Sequence, residues 1–304
     1  MDKKILHVGI AIFILGCLLL SIIFFGNVKK SSVNASEDLM HHVFLPLASK
    51  NWESSHFDFN KGIALNDGTY LQSDMSDMGA GWYYTWTEFP NPNSQPLTSS
   101  EYVPMSYYGL YDTNLLPSDY DGWILFLNEP NNPAPYGSAI GSRLGAQRYA
   151  DFVATYPNAK LVVGNVSVFA TGWFINFWDE LKTNYPDTPF PIYYGIHGYT
   201  EDWINLYWVS SWINGFPDFM YRSTGIYPTE IWITEFCETI GDTVVFQDLL
   251  DLWYSNSYVT RYAYFTNRYD PLQPWIPSTW HDFGLWENNS ISPMGEVYRL
   301  NPNP

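Results

Sequence analysis

Two short stretches carry the residues best placed to do chemistry. In WILFLNEPN, residues 123–131, an apolar run ends abruptly on Asn128, Glu129 and Pro130. In EIWITEF, residues 230–236, a second apolar run delivers Glu235. Proline cannot donate to a sheet ladder, so the first run must stop as a strand at Pro130. Each stretch therefore sets a carboxylate at the end of a buried strand. Two carboxylates facing one another across a sugar are the minimum equipment for cleaving a glycosidic bond. One is protonated and serves the leaving oxygen, and the other is ionised. In retaining chemistry the carboxyls lie ~5–5.5 Å apart, and in inverting chemistry ~6.5–9.5 Å. Glu129 is assigned as acid/base and Glu235 as nucleophile. The Asn128 amide, both donor and acceptor, suits a sugar hydroxyl or the orienting of the nucleophile. The competing reading has each glutamate merely capping a loop or helix, and the pairing of the two in aromatic surroundings weighs against it.

The elements that must position this pair follow from periodicity. Strand-like segments fall at 61–65, 81–87, 101–106, 123–128, 160–165, 192–197, 230–234 and 261–266. Runs apolar on both faces suit a parallel sheet. Helix-like stretches lie at 143–156, 172–183, 202–213 and 244–254. The second places Trp173, Phe177 and Leu181 on one helical face. Asp151, Asp179 and Asp251 fall at polar positions and read as solvated. Eight strands alternating with helices predict an α/β fold, a (β/α)8 TIM barrel, although the first three strands are followed by loop-like connections. Glu129 then follows the fourth strand and Glu235 the seventh, so both project from one rim.

Candidate substrate-binding residues sit at strand ends on that rim. Trp82, Tyr84 and Trp86 share one face of the second strand, with Trp86 nearest its end and the best stacking candidate. Tyr107 follows the third strand, and His197 and Tyr199 the sixth. Tyr264 and Trp286 belong to the eighth strand and the loop after it. A lone strand-end histidine is more often a satisfied structural group than a catalyst, so His197 is read as positioning Glu235 or substrate. Core packing competes with stacking for every aromatic in the set.

Composition narrows the function. Of 304 residues, 19% are aromatic, including 14 Trp and 24 Tyr, an excess that suits stacking on the C–H faces of sugars. The net charge of −17 repels nucleic-acid phosphates and anionic lipids but tolerates a neutral glucan. No HExxH, CxxC or glycine-rich phosphate loop occurs, so neither metal nor cofactor is expected. Cys17 and Cys237 are not expected to pair. Residues 1–35 hold an apolar run, Ile5–Phe25, with lysines at both ends, and read as a signal peptide or membrane anchor. Residues 36–58 read as a linker and 59–304 as the catalytic domain. The protein is thus expected outside the cell, secreted or held on the outer face of the membrane by its N-terminus alone, as a monomer. Asn165-Val166-Ser167 and Asn288-Asn289-Ser290 match the glycosylation sequon.

The ordered series KGIALND, GWYYTW, YVPMSYYG, FLNEPN, HGY, WITEF, RYAYFT and SPMGEVY resembles glycoside hydrolase family 128, the alkali-sensitive linkage protein-like endo-β-1,3-glucanases. It spans nearly all of residues 61–298. The resemblance implies a retaining barrel hydrolase acting on β-1,3-glucan, with Glu129 as acid/base and Glu235 as nucleophile. The stretch YGLYDTNLLPSD and the tryptophan-rich 203–219 depart from the family pattern, and such loops shape subsites. A barrel glycosidase acting on another β-linked polysaccharide, a carbohydrate-binding protein without turnover and a surface adhesion protein are the alternatives.

Overall fold

In the computed structural model, the described residues are 58–66, 71–88, 100–110, 116–117, 119–201, 204–268, 276, 279–287 and 289–301. The N-terminal apolar run, residues 36–57 of the expected linker, Cys17 and the Asn288 sequon lie outside them. The strands are β1 (Asp58–Ala64), β2 (Ala80–Tyr84), β3 (Glu101–Tyr102), β4 (Met105–Ser106), β5 (Trp123–Phe126), β6 (Lys160–Val166), β7 (Tyr193–His197), β8 (Glu230–Phe236), β9 (Val259–Phe265), β10 (Trp286–Glu287) and β11 (Ser290–Ile291). The helices are α1 (Gln72–Met78), α2 (Ser142–Thr155), α3 (Thr171–Asn184), α4 (Leu206–Thr224), α5 (Thr243–Ser255) and α6 (Pro293–Leu300).

Strands β1 to β9 form one curled parallel sheet in the order β3-β2-β1-β9-β8-β7-β6-β5-β4. Its two outermost strands, β3 and β4, are separated in the chain only by Val103 and Pro104. The sequence reads 101–106 as a single strand. Pro104 has no N–H and interrupts it. The Val103 N–H donates to Tyr83 O at 2.9 Å on one side, and the Leu125 N–H donates to Pro104 O at 2.9 Å on the other. One segment thus serves both ends of the sheet.

Helix α4 departs most from expectation. It begins at Leu206, because the Asn205 side chain accepts the Trp208 N–H as a cap, and it ends at Gly225 in the left-handed region. It runs through Asn214, Gly215 and Pro217, which read as breakers. Burial of Phe216, Pro217 and Met220 against the sheet offsets their poor propensity. Helices α1 and α6 lie outside the stretches that read as helical. The second carries a plain start signal, Ser292 Oγ accepting the Gly295 N–H with Pro293 at the first helical position. Among the described residues, no helix is long and apolar enough to cross a membrane.

The N-terminal end of the sheet is filled. Trp82, Trp123 and Trp232 meet there, with centroids 5.2 Å apart for Trp82–Trp232 and 4.7 Å for Trp123–Trp232. The Arg261 guanidinium lies 4.5 Å from the Trp232 ring centre and within 6 Å of the other two, and it pairs with Glu101 at 2.7 Å. Gly62, opposite Trp82 in register, makes room for the indole. A Cβ there would lie 2.3 Å from the ring.

Candidate active site

At the other end of the sheet the backbone is bent at several positions around the functional side chains. Leu127 (φ 70°) and Glu129 (φ 40°) follow β5, Trp86 (φ 55°) follows β2, and Asn165 (φ 46°) lies in β6. Non-glycine residues in this region are strained, and such strain gathers at functional sites. Buried Asn165 supports the turn: its carbonyl accepts the Glu129 N–H at 2.9 Å, and its Nδ2 donates to Leu127 O at 2.9 Å. Its side chain is therefore closed to glycosylation, which removes that sequon as a modification site. In β8 an extra residue produces the other bend. His197 pairs with Glu235 and Ile196 with Ile233, so Thr234 has no partner in that ladder and Glu235 is re-aimed.

The bends bring the two glutamates together. One oxygen from each and a His197 nitrogen all lie within 4.8 Å of one another. His197 is fully buried, with Nδ1 2.9 Å from Glu129 Oε1 and 3.4 Å from Glu235 Oε2. When both carboxyls are ionised they only accept, and Nδ1 then carries the proton between them. The Asn132 amide donates to Glu129 Oε2 at 2.9 Å. Around Glu235, the Trp86 indole N–H donates to Oε1 at 2.7 Å and the Tyr199 hydroxyl to Oε2 at 2.5 Å. The Tyr84 hydroxyl, 2.8 Å from Thr234 O, also reaches Oε1 at 3.1 Å. Among the described residues, Glu129, His197 and Glu235 have the spacing to hold a cation.

Burial sets the electrostatics. It raises Glu235 above the usual 4.5; the His197 charge opposes this, Glu129 reinforces it, and the Tyr199 and Trp86 hydrogen bonds oppose it. Burial alone would lower His197. The Glu235 charge, with the hydrogen bond and charge of Glu129, reverses that and raises it above 6.5. Burial first, and the Glu235 charge second, push Tyr84 and Tyr199 well above 10, so both remain protonated.

The carboxylates open on a cavity of about 640 Å³. Of the residues expected to bind substrate, Asn128, Trp86, Tyr107 and Tyr199 line it. Asn128 Oδ1 is buried without a protein partner. Trp86 does more than present a ring, since its N–H is spent on Glu235. His197 and Tyr84 lie beneath the carboxylates, out of the cavity wall, where they hold Glu235 in place. Tyr264 and Trp286 stand elsewhere. The Tyr264 hydroxyl donates to Phe283 O at 2.6 Å and its ring packs on Phe246 and Tyr298, on the helix side of the sheet. Trp286 is buried under Arg268, whose guanidinium lies 4.9 Å from its ring.

Sequence reasoning passed over Asn132, Tyr136, Trp280 and Phe265, all on the cavity wall. Trp280 packs on Tyr199 at 5.2 Å and Phe265 on Trp86 at 5.7 Å, so they brace two of the donors to Glu235. Asn132 had a readable signal, an amide three residues beyond Glu129.

The family described as glycosyl hydrolase catalytic core matches residues 62–298. The chain belongs to that family. No curated protein matches it in sequence. Among solved structures, a family 128 subgroup II endo-β-1,3-glucanase from Sorangium cellulosum is 19% identical, with a TM-score of 0.58 over 80% of this chain and 98% of that one. A subgroup I endo-β-1,3-glucanase from Amycolatopsis mediterranei, in complex with laminarihexaose, is 17% identical, with a TM-score of 0.59 over 80% and 99%. A subgroup VII oligosaccharide-binding protein from Cryptococcus neoformans is 18% identical, with a TM-score of 0.53 over 83% and 96%. At these identities the likeness is one of fold, and this glycosyl hydrolase core shares it with both enzymes and a binding protein.

Proposed function

We propose that the chain is a retaining glycoside hydrolase of the family 128 type that cleaves β-1,3-glucan, with Glu235 as nucleophile and Glu129 as acid/base. The observation that carries this reading is the spacing of the two carboxylates. One oxygen of each lies within 4.8 Å of the other, which favours the ~5–5.5 Å separation of a double displacement over the ~6.5–9.5 Å of the inverting route. The partners support the roles. Glu235 is surrounded by donors from Trp86, Tyr199, Tyr84 and His197, which together satisfy an anion. In the first step a Glu235 oxygen bonds to the anomeric carbon as that carbon's bond to the leaving oxygen breaks. The Glu129 proton goes to the leaving oxygen. In the second step Glu129 takes a proton from water, the water oxygen bonds to the anomeric carbon, and Glu235 leaves as carboxylate. The substrate follows from the fold neighbours that are β-1,3-glucanases, one of them in complex with laminarihexaose.

The same reading includes a closed (β/α)8 barrel, supported by the single 101–106 segment that meets both ends of the sheet. It also includes export, supported by the apolar run Ile5–Phe25. Proton NMR of a laminarin digest tests the mechanism. The first product anomer to appear should be β, and an α anomer would overturn the double displacement. The oligosaccharide-binding neighbour makes a non-catalytic protein the reading to defeat. Tight laminarin binding with no reducing ends released would establish it.

A further inference from the structure

The rim beside the cavity carries an aromatic cluster that the chemistry above does not use. Tyr207, Trp208 and Phe169 are 70%, 44% and 44% exposed, whereas Trp212 beneath them is 6% exposed. The rings touch: centroids lie 5.5 Å apart for Tyr207–Trp208, 6.1 Å for Phe169–Trp208 and 6.0 Å for Phe169–Trp212. Phe169 holds φ 64°, a conformation that bulky side chains rarely adopt, while its ring stands in solvent. Neither helix propensity nor core packing calls for that presentation.

Position and charge identify the occupant. Two segments of the cavity wall run directly into the cluster: Ser167 and Val168 precede Phe169, and Ile204 lies just before Tyr207 and Trp208. The cluster therefore continues the cavity surface outward. No charged residue occurs from Leu161 to Trp178 or from Ile204 to Pro217, in a chain with 31 acidic and 14 basic residues. A neutral polymer with flat C–H faces fits such a surface, whereas an anionic lipid or a charged peptide finds no partner group there. We infer that Tyr207, Trp208 and Phe169 form an auxiliary stacking platform that holds a polysaccharide chain where it leaves the cavity. This rests on the polysaccharide reading above and adds a second contact region, which short oligosaccharides do not reach.

The test compares the unsubstituted protein with Tyr207→Ala/Trp208→Ala on laminarihexaose and on a long β-1,3-glucan. On the long polymer kcat/KM should fall about tenfold, mostly through KM, and on laminarihexaose it should stay within about twofold. Equal losses on both substrates, or none on the polymer, would overturn the platform. Trp208→Phe keeps a ring and should restore most of the preference for the polymer. Tyr207→Ala alone, which removes the most exposed ring, replaces the double variant if that fails to fold and should show the same polymer-selective loss in smaller measure. Binding to insoluble glucan in a Glu235→Gln background reads the platform without turnover. If the unsubstituted protein cleaves no β-1,3-glucan, the functional reading fails on its own, and a panel of neutral polysaccharides judges the platform. Binding unaffected by the substitutions across that panel rejects it. So does a dimer, seen in sedimentation, that the double variant dissolves, since that would assign the rings to self-association.

Discussion

The two ends of the sheet are built from the same materials and differ in how they are finished. At the N-terminal end, Trp82, Trp123 and Trp232 enclose a cation, Arg261, whose charge is answered by Glu101. At the C-terminal end, Trp86, Tyr84 and Tyr199 surround one carboxyl, Glu235, with a second, Glu129, beside it. The first arrangement closes on itself. The second exposes part of both carboxylates to a cavity and leaves Asn128 Oδ1 and His197 Nε2 without partners. Aromatic rings thus serve as filler around a neutralised charge at one end. At the other they are donors that keep a buried carboxylate poised for reaction, with the burial cost that lifts its pKa.

Substitutions can break this contrast from either side. The largest effect belongs to Glu235→Gln, which keeps the shape and removes the anion. Reducing-end assays on laminarin should show a loss on the order of 10⁴-fold or more, with folding intact. Glu129→Ala should cost about 10²–10⁴-fold on laminarin yet spare aryl glycosides with good leaving groups, which need no acid. Equal loss on both substrates would remove Glu129 from that role.

His197→Asn tests positioning. A fall of about 10²-fold in kcat/KM is expected, together with a changed pH profile, because an asparagine cannot take up a proton between the two carboxyls. The stability consequence has a definite sign. The folded pKa of His197 is raised, so its contribution is fully present below 6.5 and is lost as pH rises through the higher folded value. Glu235, also raised, acts in the same sense above 4.5. Thermal melts taken on either side of pH 6.5 should show this decline in the unsubstituted protein and a flatter response in His197→Asn. The smallest effect on chemistry belongs to Arg261→Ala. It should lower stability by about 2 kcal/mol, measured by denaturant unfolding, and leave kcat unchanged. A fall in kcat there would mean that the two ends are mechanically coupled.

What the sequence made legible were the strand ends. An apolar run stopped by Pro130, and its counterpart ending on Glu235, place two carboxylates on one rim without any knowledge of contacts. Alternation gives a side chain's face but not its depth. Tyr84 was correctly assigned to the face of Trp86, yet two residues of rise put it beneath Glu235 and off the cavity wall. Alternation was available for β9 as well. Tyr262 and Tyr264 share one face, while Phe265 falls on the other and lines the cavity. Trp286, in a short hairpin strand, had no period to read. Asn132, Tyr136 and Trp280 were missed because they sit on loops, where no repeat reports direction and only the folded backbone brings them to the groove.

The narrow fit between Gly62 and Trp82 bears on the lineage of this chain. Two neighbouring strands share space for one large ring, so neither position can change alone. Among relatives, a larger residue at 62 should appear only where 82 has shrunk, and sequences that keep the indole should keep the glycine. Enlarging residue 62 alone would jam the floor of the molecule, and shrinking residue 82 alone would hollow it, before any sugar is encountered.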